Sequence, residues 1–120
     1  MKPYQDARVE GEKLAKQYAE LEKADQVDFY NGLEGYYSVL GHNKKQEAIA
    51  VLIEKNDHKI YVYQLGKGIS QDKAATISRE KGASDIDKVT FGRYQDKPIW
   101  EVKSGNQYYL VDFETGAVIQ

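Results

Sequence analysis

Hydrophobic and polar positions near the start of the chain recur at the spacing of an α-helix. Apolar or small residues occur every third or fourth position, and mostly charged residues fill the positions between them. The stripe consists of Tyr4, Ala7, Gly11, Leu14, Tyr18 and Leu21. This spacing predicts an amphipathic helix from about Asp6 to Ala24 that packs on a sheet. A coiled-coil seam is the alternative, but the stripe lasts less than three heptads.

The pattern then changes to the period of two that is typical of β-strands. It predicts four strands in the first half of the chain, at residues 26–30, 36–40, 47–54 and 59–65. Both faces of the segment 47–54 are apolar, so this strand is expected to be central in its sheet. Asn31-Gly32 is a strong turn signal, and Gly41 to Lys45 is predicted to form a polar loop.

The second half of the chain repeats this order of elements. Ser70 is predicted to be the N-cap of a helix, and Gly82 is predicted to be its left-handed C-cap residue. Strands are predicted at residues 87–94, 98–103 and 107–113, with hairpin turns between them and a short strand at 117–119. Because Val27-Asp28-Phe29 parallels Val89-Thr90-Phe91, we predict that the two halves arose by tandem duplication.

These elements predict an α+β fold of two units, each a helix packed across an antiparallel sheet. The plausible boundary is Gly66-Lys67-Gly68, which gives domains at residues 1–66 and 67–120. A chain of 120 residues is long enough for one ordinary domain or two small ones. The ten tyrosines favour half-buried sheet surfaces over a helical bundle.

Composition excludes several classes of function. The absence of cysteine excludes a disulfide scaffold, a thiolate zinc site and a cysteine nucleophile. The net charge is −2 without a basic block, so nucleic acid is not an expected partner. No apolar run reaches the ~20 residues that cross a bilayer. The start at Met1 is either natural or a position just after a removed membrane anchor.

Candidate catalytic and metal-binding residues form no recognised constellation. His42 and His58 both fall in predicted polar loops, without a carboxylate or a second histidine at ligand spacing. We therefore expect no metal ion, no cofactor and no catalytic residue, and we predict that the protein is not an enzyme. Asp112 is expected to cap a turn through backbone N–H groups, and Gly116 to supply a positive φ there.

Aromatic side chains are the remaining candidates for a functional surface. Exposed tyrosine patches are typical protein-contact surfaces. The candidate partner-contact residues are Tyr36, Tyr37, Tyr61, Tyr63 and Trp100. Burial between the two halves is an equally good interpretation of the tyrosines. For Trp100 a core position with a hydrogen-bonded indole N–H is the favoured interpretation, and an exposed contact is the alternative.

Several segments resemble a known family. The helix start at Gly68 to Ala75, the strand Ile99 to Val102 and the ending Tyr109 to Ile119 resemble a PepSY domain. The segments Val27-Asp28-Phe29-Tyr30 and Tyr36-Tyr37 resemble the upstream domain of the YpmB-like, or TseB-like, proteins of Gram-positive bacteria. Together they resemble a tandem of two cystatin-like domains across almost the whole chain.

The resemblance implies a function that the residues alone do not. Members of this family carry one N-terminal transmembrane helix and regulate cell-wall elongation outside the cytoplasm, through contact with the peptidoglycan-synthesis machinery. We therefore expect a non-catalytic, extracytoplasmic interaction domain, anchored in the cell membrane by a segment outside this sequence, whose partner is a cell-wall synthesis protein. PepSY domains also resemble the propeptides of secreted metallopeptidases, so a peptidase-inhibitor or propeptide-like module is the alternative. The oligomeric state is not predicted.

Overall fold

The computed structural model describes residues 3–31 and 35–119, which form two compact units. Unit 1 is residues 1–64 and unit 2 is residues 65–120. The side chains of residues 3–8, 10 and 18 lie outside the part that the structure describes. Of the predicted helical stripe, the structure therefore describes the side chains of Leu14 and Leu21 and the position of Gly11. The predicted turn at Asn31-Gly32 also extends beyond the described residues. Two helices and two antiparallel sheets confirm the α+β class.

Unit 1 is a helix on a four-stranded antiparallel meander. Its elements are α1 (Pro3–Tyr18), β1 (Leu21–Asn31), β2 (Gly35–Asn43), β3 (Ala48–Glu54) and β4 (Ile60–Gln64). The strands are hydrogen-bonded in chain order, so β3 is an interior strand and β4 is an edge strand. All residues of β3 except the first are buried, which confirms the central position that its two apolar faces predict.

The prediction of a helix that continues to Ala24 is wrong. α1 ends at Tyr18, and Leu21 already pairs with Asn43 as the first residue of β1. Glu20 lies between the two elements with a φ of 58°, a left-handed conformation that turns the chain. Leu21 and Ala24 nevertheless pack in the same core as the helix, and this burial is why they fit the helical spacing.

The predicted loop from Gly41 to Lys45 is also partly wrong, because β2 continues to Asn43. β1 carries two register shifts opposite this part of β2. A Cβ atom on Gly41 would lie 2.0 Å from the carbonyl oxygen of Lys23, so only glycine lets the irregular strand approach β2 here. The loop itself is organised by Asn43, whose Oδ1 accepts hydrogen bonds from the backbone N–H groups of Lys45 (2.9 Å) and Glu47 (3.0 Å).

Unit 2 is a shorter version of the same arrangement. After a 3₁₀ turn at Leu65–Lys67, its elements are α2 (Gln71–Glu80), β5 (Lys88–Tyr94), β6 (Lys97–Ser104) and β7 (Gln107–Asp112), and its sheet order is β5-β6-β7. The Oγ of Ser70 accepts a hydrogen bond from Lys73 N at 3.0 Å, which confirms the N-cap. Gly82 has a φ of 112°, which confirms the left-handed residue after the helix. The segment 117–119 is not a full strand and makes one bridge, from Val118 to Val111.

The core of unit 2 is an aromatic cluster tied to the segment before α2. Phe91, Trp100 and Phe113 stack edge to face, with ring centroids 4.9 to 6.4 Å apart. Trp100 Nε1 donates to Ile69 O at 3.0 Å, and Ile69 N donates to Phe113 O at 2.8 Å. Gly68 lies so close that a Cβ atom there would be 2.4 Å from Phe113 O. Residues 68 and 69 are therefore held against the sheet.

Candidate functional site

Tyr36 and Tyr37 lie on opposite faces of the unit 1 sheet, because they are consecutive residues of β2. Tyr37 is 7% exposed and packs against Phe29 with ring centroids 5.0 Å apart. Tyr36 is 2% exposed and lies 6.4 Å from the rings of both Tyr30 and Tyr61. Neither ring lies at the surface, so the interpretation of Tyr36 and Tyr37 as exposed partner contacts is not supported.

Trp100 is 1% exposed and belongs to the aromatic cluster of unit 2. Its indole N–H is bonded to the carbonyl of Ile69, as the core interpretation requires. Tyr61 and Tyr63 are half-buried on one face of β4. Their role as partner contacts stays a prediction.

The helix of unit 1 covers its sheet incompletely. α1 packs on β1, β2 and β3, whereas β4 lies at the edge of the sheet beyond it. Ile60 and Val62 pair with the core residues Ile53 and Val51, so their side chains lie on the same face as the helix. Val62 is 48% exposed, which is unusual for a valine on the core face of a sheet. A strip of apolar surface therefore runs along β4.

Two cavities open along this strip, and we call them together the β4 groove. The smaller has a volume of about 240 Å³ and is lined by Leu14, Ile53, His58 and Ile60. The larger has a volume of about 450 Å³ and is lined by Ala19, Glu20, Asn43, Lys44, Lys45, Glu47, Ile49, Val62 and Gln64. An apolar floor with a polar rim is suited to contact with another protein chain. Sequence reasoning missed this groove, although a strand at the end of a meander is a signal for an exposed edge.

The charged side chains on the rim of the groove form no ion pair with one another among the described residues. Asn43 Nδ2 donates to Glu47 Oε1 at 2.9 Å, which holds that carboxylate in the loop. Lys44 and Lys45 are exposed, and neither forms an ion pair within the part of the chain that the structure describes. Solvated charges of this kind can steer and orient a charged partner.

His42 does not lie in a loop, contrary to the sequence prediction. It is a residue of β2, and its Nδ1 lies 2.9 Å from Asp25 Oδ2 on β1. The irregular register of β1 creates this contact, which sequence spacing could not show. His58 is exposed in the turn before β4, as expected. Among residues 3–31 and 35–119, no group of three or more His, Asp or Glu side chains could hold a metal ion.

Two carboxyl groups in unit 2, those of Asp112 and Glu101, have environments that the fold explains. Asp112 Oδ1 accepts from the backbone N–H groups of Glu114 (2.8 Å) and Thr115 (3.1 Å), and Gly116 has a φ of 82°. The predicted turn is thus confirmed, and its acceptor oxygen is occupied by the backbone. Burial raises the pKa of the Glu101 carboxyl, and the charge of Lys88 partly opposes this rise.

The fold and the groove together define a two-unit α+β protein with an apolar groove along the edge strand of one sheet. Residues 10–54 match the family described as the cell wall elongation regulator TseB-like domain. The chain is 38% identical over 114 residues to the probable cell wall elongation regulator TseB of Bacillus subtilis (strain 168), across 88% of this chain and 70% of that protein. The chain belongs to the TseB-like family.

A solved structure has the same fold. The YpmB protein from Bacillus subtilis matches with a TM-score of 0.80 and 32% identity, over 100% of this chain and 97% of that chain. The predicted resemblance to the YpmB-like, or TseB-like, family is confirmed. The PepSY and cystatin-like descriptions of the two units and their origin by duplication stay predictions. No helix in the described part of the chain has the length and apolar character needed to span a membrane.

Proposed function

We propose that this chain is a non-catalytic, extracytoplasmic protein-interaction domain that regulates cell-wall elongation in a Gram-positive bacterium. The observation that carries the proposal is the 38% identity with the probable cell wall elongation regulator TseB. The likeness to YpmB over the whole chain supports it. In this proposal a membrane anchor outside the sequence holds the domain at the outer face of the membrane, and its partner is a cell-wall synthesis protein.

The β4 groove is the surface that we assign to this partner. Its floor includes Ile49, Ile60 and Val62, and its rim carries Lys44 and Lys45. An apolar centre surrounded by charged residues is the usual composition of a protein interface. The two lysines would favour an acidic segment of the partner beside the apolar contact and would increase the association rate.

A replacement experiment in Bacillus subtilis tests the proposal. In a strain without TseB, the segment of TseB that aligns with this chain is replaced by it, and cell length, cell width and the incorporation of labelled wall precursor are measured. We expect the replacement to restore elongation. A chain that is exported and folded but leaves elongation at the level of the deletion strain would contradict the proposal.

Charge-reversal variants test the assignment of the surface. Lys44→Glu with Lys45→Glu is expected to reduce cross-linking to wall-synthesis proteins about tenfold or more, because like charges across an interface repel. Lys73→Glu with Lys81→Glu, in the first turn and at the C-cap of α2, is the matched control and is expected to leave cross-linking unchanged. Equal losses in both double variants would remove the groove from the proposal. Inhibition of a secreted metallopeptidase by the purified chain would favour the propeptide-like alternative instead.

A further inference from the structure

The two edges of the unit 1 sheet differ in how they resist the addition of another strand. β1 carries the exposed charged residues Glu22, Lys23 and Asp25 and two register shifts. Charged side chains and bulges are devices that keep an edge strand from pairing with another chain. β4 has neither: Ile60–Gln64 contains no charged residue and pairs with β3 without a register shift. By charge and by register, β4 is therefore the less protected edge of this sheet.

The hydrogen bonds of β4 show which of its backbone groups point outward. Lys59 O accepts from Glu54 N at 2.8 Å, so residue 59 directs its backbone groups toward β3. In an antiparallel ladder this direction alternates from residue to residue. Tyr61 and Tyr63 therefore also point toward β3, whereas Ile60, Val62 and Gln64 direct their N–H and C=O groups away from the sheet.

We propose that β4 pairs with β4 of a second copy of this chain, antiparallel and with a twofold axis at Val62. Val62 then pairs with Val62 of the second copy, and Ile60 pairs with Gln64 of the second copy. Each of these three symmetric pairs exchanges two backbone hydrogen bonds, about six in all. The neutral strand brings no like charges together across the axis, and the exposed Val62 side chains pack against each other.

The product is one continuous eight-stranded sheet. A twofold axis perpendicular to the sheet keeps both helices on the same face. The two β4 grooves then lie side by side, because each added strand lies beside β4 and not on its groove face. The association goes beyond the proposed regulatory function and does not depend on the identity of the wall-synthesis partner.

The dimer is expected to be weak. Five paired residues extend over about 17 Å, and the contact is far smaller than the roughly 1,200–2,000 Å² of a stable interface. The new hydrogen bonds also replace bonds to water, so each adds little net free energy. We therefore expect a dissociation constant between about 0.1 and about 1 mM.

Sedimentation equilibrium and amide hydrogen exchange, measured from about 20 μM to about 2 mM, test the proposal. The average mass is expected to rise toward that of a dimer. The exchange of the Ile60, Val62 and Gln64 amides is expected to slow several-fold with concentration, while that of Tyr61 and Tyr63 stays constant. A purely monomeric chain at about 2 mM would overturn the proposal without affecting the proposed function.

Four variants locate the contact. Val62→Pro removes one outward N–H but no bond between β3 and β4, and Val62→Lys places two cations at the axis. Both are expected to be monomeric at about 2 mM. Val62→Thr keeps the N–H and the β-branched shape, and Val9→Lys makes the same charge change at another valine, which is 65% exposed. Both are expected to associate as the unaltered chain does.

Circular dichroism and Trp100 fluorescence check that each variant is folded. If Val62→Pro misfolds, Val62→Lys against Val9→Lys still decides the question. A dimer that persists in folded Val62→Lys, or an equal loss in Val9→Lys, would rule out pairing through β4.

Discussion

Units 1 and 2 contain corresponding cross-strand pairs, but the contacts that surround these pairs differ between the two units. The equivalent pairs are Val27 with Val39 and Phe29 with Tyr37 in unit 1, and Val89 with Val102 and Phe91 with Trp100 in unit 2. The two aromatic pairs have nearly equal centroid distances, 5.0 and 4.9 Å. The strands of the two units therefore have the same local register at their cores.

The difference lies in what surrounds the aromatic pair. In unit 2 the indole of Trp100 and the backbone of Phe113 both bind Ile69, so the segment before α2 is fixed to the sheet. In unit 1 the helix lies on β1 to β3 and leaves apolar surface along β4. The same arrangement of a helix on an antiparallel sheet thus has a core hydrogen-bonded to the preceding segment in unit 2 and exposed apolar surface along β4 in unit 1. We expect unit 1 to carry the interactions and unit 2 to be sensitive to core changes.

The test with the largest expected effect replaces Trp100 and Tyr37, the aromatic residues at corresponding positions of the two units. Trp100→Ala and Tyr37→Ala are each expected to lower the free energy of unfolding by about 3–5 kcal/mol. Trp100→Ala is expected to cost more, because it also leaves the carbonyl of Ile69 without its donor. Urea unfolding followed by circular dichroism measures both. Equal costs would mean that the bond to Ile69 does not distinguish the two units.

A smaller effect is expected from a methyl group at the fixed segment. Gly68→Ala places a Cβ atom 2.4 Å from Phe113 O and 2.6 Å from its ring, which we expect to cost about 1–3 kcal/mol. Gly66→Ala is the matched control, because its Cβ would meet nothing within 4 Å. Fluorescence of Trp100, the single tryptophan, reports unfolding of unit 2. If Gly68→Ala is as stable as Gly66→Ala, residues 68 and 69 are not held tightly.

Features that depend on residues close together in the sequence could be predicted. Features that depend on how the strands pair could not. The N-cap at Ser70 and the turn at Asp112 depend on residues within three positions, and both predictions are confirmed. The end of α1 was misplaced because Leu21 joins a strand whose partner is distant in sequence. The contact between His42 and Asp25 depends on a register shift that no local pattern reveals.

The β4 groove could not be predicted from the sequence for the same reason. The apolar character of Val62 is visible in the sequence, but its exposure depends on β4 being the outermost strand and on α1 packing on β1 to β3. The aromatic residues gave the opposite error. Tyr36 and Tyr37 were candidates for exposure, and the sheet buries them instead, whereas the burial of Trp100 agrees with its core interpretation.

Two serine substitutions, one at the N-cap of α2 and one within the helix, are expected to change the stability of unit 2 in opposite directions. Ser78 is fully buried, and its Oγ has no hydrogen-bond partner among the described residues. Ser78→Ala is therefore expected to raise the free energy of unfolding by about 1 kcal/mol. Ser70→Ala removes the N-cap and is expected to lower it by about 1 kcal/mol. Urea unfolding of both variants checks the signs, and a loss in Ser78→Ala would indicate that the hydroxyl is paired.

The smallest expected effect concerns pH and again separates the units. Glu101 follows Trp100 in β6, whereas the residue that follows Tyr37 in β2 is the neutral Ser38. Burial raises the pKa of Glu101 above its ordinary value of 4.5, so the folded state binds this proton more tightly than the unfolded state. The contribution of Glu101 to stability is therefore greatest below pH 4.5 and falls as the pH rises through the raised pKa. Glu101→Gln should remove this part of the pH dependence, and the exposed Glu114→Gln should not, when unfolding free energies are measured from about pH 4 to about pH 8. A profile that is unchanged in Glu101→Gln would show that burial of this carboxyl does not make unit 2 sensitive to pH.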